Sequence, residues 1–168
     1  MNFWKRHLKM KLQGFKQLGI MCIGNRYCSD DGAGVEVARV LSIFLNKKKC
    51  RNISVINCYN SPENFTSSVK KIKPSHILII DSCISGKRPG AISILAAKDI
   101  KEYNMLSHRI PIRLLSDYIA SEIGSDIIIL GIEPECTARG TDISKPVKKA
   151  IKEIERFFVE FLRDIKKL

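Results

Sequence analysis

Short β-favouring apolar runs alternate with stretches of helical periodicity along almost the whole chain, and this alternation is its strongest constraint on fold. Residues 18–23, Leu-Gly-Ile-Met-Cys-Ile, form an apolar run that stops at Gly24-Asn25, as a strand followed by a turn would. From Ala33 to about Lys49, apolar residues recur at Val37, Val40, Leu41, Phe44 and Leu45, which is helical spacing. Ile53–Ile56 reads as a second strand, and Ser61-Pro62-Glu63-Asn64 as a cap with proline at the first helical position. His76–Ile80 is a continuous β run ending in Asp81, and a turn is predicted at Lys87-Arg88-Pro89-Gly90. Ala91–Leu95 follows as a strand whose short connection predicts an antiparallel neighbour. Pro111 opens a helix with Ile112, Leu115, Ile119 and Ile123 on one face, Asp126–Leu130 is a further buried strand, and Pro146 to about Ile165 a final amphipathic helix.

Ile-, Leu- and Val-rich strands separated by helices predict a single three-layer α/β/α domain around a mostly parallel, twisted sheet. The 168 residues, 45% of them hydrophobic, suffice for one core. The expected division is an N-terminal appendage over residues 1–17 and a domain over 18–168. Such sheets bind ligands beyond the carboxyl ends of their strands. Chemistry is therefore sought in residues 24–34, 57–62 and 81–90 and in the segment before Pro111.

Lysine and arginine exceed aspartate and glutamate by 12, which raises the question of nucleic acid or an anionic membrane. Nine of these charges fall in two clusters, Lys5 to Lys16 and Lys47 to Arg51. The second lies where a helix C-terminus favours cations. No nucleic-acid-binding motif accompanies the charge, and aromatic residues make up only 7%. Within the first cluster, Trp4, Leu8, Leu12 and Phe15 form an apolar stripe opposite Lys5, Lys9, Lys11 and Lys16. Such a helix docks on its own domain, on a substrate, or on a membrane surface. The six cysteines form no CxxC pair, and no apolar signal segment is evident, so a reduced cytoplasmic compartment is expected. Met10 is a second candidate start.

The loop after the first strand is neither GxGxxG nor a Walker A sequence, and two adjacent carboxylates, Asp30 and Asp31, would repel a phosphate there. They suit a cation or a helix N-terminus. Helix capping accounts well for Asp30 but less well for Asp31-Gly32-Ala33-Gly34. Asp81 reads either as a turn former or as a functional group at the mouth of the sheet. His108 reads either as a helix-end residue or as a ligand. All three, Asp31, Asp81 and His108, fall in loops at the same predicted edge. Together they make a mixed oxygen and nitrogen set suited to a divalent transition metal. Neither HExxH nor GxSxG occurs.

The motifs Cys22-Ile23-Gly24-Asn25, Ser29-Asp30-Asp31-Gly32-Ala33-Gly34, Ser61-Pro62-Glu63-Asn64, Ile79-Ile80-Asp81, Pro89-Gly90, Ser107-His108 and Leu130-Gly131-Ile132-Glu133-Pro134 lie in that order. In order and spacing the chain resembles the hydrogenase maturation endopeptidases, which trim the large subunit of nickel–iron hydrogenases. It is most similar to the branch that processes formate-hydrogenlyase and related energy-converting enzymes. The resemblance implies that Asp31, Asp81 and His108 are both the catalytic and the metal-contacting residues. It further implies an aspartyl endopeptidase that engages nickel brought by the large-subunit precursor, with other divalent metals able to occupy the site. A monomer is expected. Cys28 and Cys83 flank the first two residues and are available as soft donors, although packing is the ordinary role of such thiols. Where the family carries a glycine pair after the second strand, this chain has Asn57-Cys58-Tyr59-Asn60, with bulky Tyr59 at the substrate cleft. The competing functions are a metal-binding scaffold or chaperone of the same fold and a basic nucleic-acid-binding module.

Overall fold

The computed structural model describes residues 2–95, 104–105 and 112–165. Helix α1 (Phe3–Lys11) precedes strand β1 (Leu18–Ile23), which is buried along its whole length. A 3-10 turn (Ser29–Gly32) leads into α2 (Ala33–Lys47) and β2 (Ile53–Tyr59). A second 3-10 turn (Pro62–Phe65) starts at the expected proline, but Ser61 makes no capping hydrogen bond. Then come α3 (Thr66–Ile72), β3 (His76–Ile84), β4 (Ile92–Leu95), the two-residue β5 (Asn104–Met105), α4 (Ile112–Ile123), β6 (Asp126–Ile132) and α5 (Lys145–Ile165).

The sheet runs in the order β2-β1-β3-β6-β4, and β5 pairs only with β3. Strands β1, β2, β3 and β6 are mutually parallel, whereas β4 runs antiparallel to β6. The expected antiparallel strand is present, and its neighbour is β6. Six consecutive apolar residues, Ile127–Ile132, suit a strand covered on both faces. β6 accordingly takes the position beside β3, and the half-buried β4 goes to the edge.

Alternation along the strands sorts the core into two layers. Ile20, Cys22, Leu78 and Ile80 face α1, α2 and α5, while Met21, Ile23, Ile77 and Ile79 face α3 and α4. The three-layer α/β/α expectation is met. The boundary expected after residue 17 marks no break in packing. Trp4, Leu8 and Leu12 are buried in the first of these layers, with Trp4 5.7 Å from the Phe157 ring and Phe15 stacked on Phe161. The apolar stripe of α1 is thus turned inward onto α5, the first of the three dockings that its pattern allows. Among the described residues, no helix is long and apolar enough to cross a membrane.

Leu8 is fully buried, so Leu8→Ala is expected to lower stability by about 3 kcal/mol, through lost burial and the cavity left behind. Urea unfolding measures it. A change below about 1 kcal/mol would mean that α1 adds little to the core.

Candidate active site

The chain leaves β1 through α2 on one face of the sheet and enters β3 from α3 on the other. Between β1 and β3 the direction of winding reverses, which is where open α/β sheets form a ligand crevice, outside the carboxyl ends of their strands. The residues after β1 are folded back over its end. The Asn25 N–H donates to the Asp31 carbonyl at 3.0 Å, and the Asp31 N–H donates to the Cys28 carbonyl at 3.0 Å. Two glycines permit this approach. A Cβ on Gly34 would stand 1.9 Å from the Ile23 carbonyl oxygen, and one on Gly24 would stand 2.3 Å from that of Asp31. The start of α2 therefore presses against the end of β1. This packing explains the Asp31-Gly32-Ala33-Gly34 run better than capping does, and it leaves Asp31 buried at the crevice, 4% exposed.

Asp81 was expected at the end of β3, yet the strand continues to Ile84, because Asp81 and Ser82 remain in register with Gly131 and Ile132 of β6 and Cys83 and Ile84 pair with β5. Relative to β1, however, the last β3 pair is Cys22 with Ile80. Asp81 thus lies one residue past the last pair with β1, fully buried. Its Oδ1 accepts the Ser82 N–H at 2.8 Å, and the Ser82 hydroxyl donates to the Asp30 carbonyl at 2.7 Å. One serine joins the segments that carry Asp31 and Asp81. The structure thus places Asp31 and Asp81, both buried, on two segments tied together at the carboxyl ends of β1 and β3. His108 lies outside the described residues. Among the described residues, no three His, Cys, Asp or Glu side chains form a metal-holding group.

Asp30 is not the expected helix cap. Its buried carboxylate accepts N–H bonds from Glu135 (2.8 Å), Cys136 (3.1 Å) and Ser144 (2.7 Å), fastening the segment after β6 to the turn that bears Asp31. Glu133, also buried, accepts from the Ser85 backbone N–H at 2.9 Å and from the Ser85 hydroxyl at 2.5 Å, holding the chain just after β3. Two acids therefore serve the frame of the crevice. Only a glutamate preceding proline at a strand end hinted at the second of them.

Burial pushes the Cys22 thiol well above its ordinary range. Burial likewise pushes Cys58 up to about 12. Burial, with Asp81 and Glu133 nearby, pushes Cys83 up to about 12. A thiol held protonated is a poor nucleophile and a poor metal ligand. The Cys28 sulfur accepts from Asn25 Nδ2 at 3.3 Å. Cys28→Ser and Cys83→Ser are expected to keep peptidase activity within about threefold of wild type, as packing roles allow. A loss beyond about a hundredfold in either folded variant would restore that thiol as a ligand.

Beside the crevice, β2 bulges. Cys22 pairs with Asn57 and Ile23 with Tyr59, which leaves Cys58 as the extra residue. Tyr59 takes a left-handed backbone, φ +51°, and its carbonyl accepts the Gly24 N–H at 2.8 Å.

Solved structures share this architecture. A Thermococcus kodakarensis nickel–iron hydrogenase maturation protease superposes with a TM-score of 0.82 at 26% identity, covering 94% of this chain and 99% of that one. The crystal structure of a hydrogenase 3 maturation protease gives 0.72 at 29% identity, covering 83% and 87%. In sequence, the chain is 31% identical over 141 residues to the hydrogenase 3 maturation protease of Escherichia coli, covering 80% of this chain and 84% of that one. It is 33% identical over 166 residues to a Methanocaldococcus jannaschii protein named for the same activity, covering 96% and 98%. The fold and these likenesses define an endopeptidase. The model of the hydrogenase maturation proteases matches residues 35–160, and the chain belongs to that family.

Proposed function

We propose that this endopeptidase removes the C-terminal extension of a nickel–iron hydrogenase large-subunit precursor after nickel insertion. In this reading Asp31, Asp81 and His108 engage the nickel that the precursor carries. The observation that carries it is the placement of Asp31 and Asp81, both buried, at the carboxyl ends of neighbouring strands where the sheet reverses its winding. Two negative charges in one buried crevice repel each other, and a divalent ion offsets that repulsion. A precursor lacking nickel offers no such compensation. Hydrolysis adds water across one peptide bond: the oxygen goes to the carbonyl carbon and a proton to the leaving nitrogen. The ion positions and polarises the scissile region, and a carboxylate accepts the proton of the attacking water.

The test incubates the purified chain with nickel-loaded precursor and follows the mass of both products. A shortened large subunit together with a free C-terminal peptide is expected. An intact precursor under conditions where the two proteins bind would favour a scaffold or chaperone of the same fold.

A further inference from the structure

The groove beside Asp31 contains a residue that the fold itself does not ask for. About 350 Å³ in volume, it is lined by Ser29 and Gly32, which flank Asp31 in its 3-10 turn, and by Arg26, Tyr59 and Ile143. Tyr59 is 47% exposed, so burial does not require its ring. Its left-handed backbone is one that tyrosine adopts at a cost and glycine adopts freely. A strained side chain kept at the rim of a reaction site is evidence that the side chain is used. Charge adds a second indication. Arg39, also at the groove, is held by Glu36 at 2.6 and 2.9 Å. Arg26, by contrast, lies over the Tyr27 ring at 5.4 Å, with no ion pair among the described residues.

We infer that Tyr59 is a specificity-determining residue: its ring and Arg26 form a subsite for an extended segment of the substrate chain, in which an apolar side chain seats on Tyr59 and a nearby carboxylate meets Arg26. The inference rests on the processing function proposed above and deepens it, because the groove continues from the turn that carries Asp31. The apolar side chain gains contact with the ring and Ile143, and the carboxylate gains a charge-assisted bond.

The test measures kcat and KM for precursor cleavage, calorimetric Kd for the same precursor, and the thermal midpoint. Tyr59→Gly is expected to hold or raise the midpoint, by up to about 3 °C, because the strain is relieved. Both KM and Kd should nevertheless rise about tenfold, with kcat changed less than about threefold. Tyr59→Phe should restore KM to within about twofold, because the ring is what binds. Arg26→Ala should raise Kd about fivefold and flatten its dependence on salt. Wild-type KM and Kd in Tyr59→Gly would overturn the inference, as would equal losses in Tyr59→Gly and Tyr59→Phe. If the wild-type chain binds the precursor without cleaving it and Kd still rises tenfold in Tyr59→Gly, the processing function fails while the subsite stands.

Discussion

Asp31→Asn is expected to reduce kcat/KM for precursor processing at least about a hundredfold, while stability stays within about 1 kcal/mol of wild type. Asparagine keeps the volume of the buried side chain, and the turn is held by main-chain bonds from Asn25 and to Cys28 that the substitution leaves in place. The substitution takes away the carboxylate that the proposed reaction uses. Asp81→Asn should behave alike, since an amide oxygen still accepts the Ser82 N–H. Rates come from quantified peptide release, and stability from urea unfolding of the same preparations. Activity within about threefold of wild type in both variants would remove the two carboxylates from the reaction.

The adjacent acid is expected to give the opposite result. Asp30→Ala should lower stability by about 4 kcal/mol, because three N–H donors from Glu135, Cys136 and Ser144 lose a carboxylate at once. Urea unfolding gives the size of the loss, and amide exchange gives its location. The Glu135, Cys136 and Ser144 amides should exchange faster, well before the core of β1 or β3 does. A loss below about 1 kcal/mol would mean that the segment after β6 is held by other contacts. Sequence neighbours would thus divide the work: Asp30 fastens the frame, and Asp31 serves the proposed reaction.

Wherever an element is decided by its own residues, the sequence made it legible. β1 begins and ends at the residues its apolar run marks, and α2 and α5 lie within about two residues of the periodic stretches. The placement of Asp31 and Asp81 at one edge of the sheet was legible as well, because strand ends in a parallel sheet converge there. Features that depend on distant partners were not. Asp30 looks like any helix-start acid until residues 105 to 114 positions away supply its donors. Asp81 reads as the close of a strand because aspartate is a poor strand former, yet pairing with β6 and then with β5 carries β3 three residues further. The stripe on α1 has the same pattern whether a bilayer or α5 covers it. Periodicity identifies an apolar face, and only the folded chain identifies what it meets. The glycines at 24 and 34 carry a similar lesson: the loop they bound matches no nucleotide motif, and only the folded chain shows their requirement, the contact between α2 and the end of β1.

The twelve excess positive charges are a poor guide to the partner, since the two acids of the proposed site are buried away from them. In the proposed function, those acids receive a cation carried by the substrate. The most direct test compares processing of one large-subunit precursor in nickel-loaded and nickel-free form by the wild-type chain. The nickel-loaded form should be cleaved at least about a hundredfold faster, with the difference abolished in Asp31→Asn and Asp81→Asn. Equal rates for the two forms would contradict recognition through the metal.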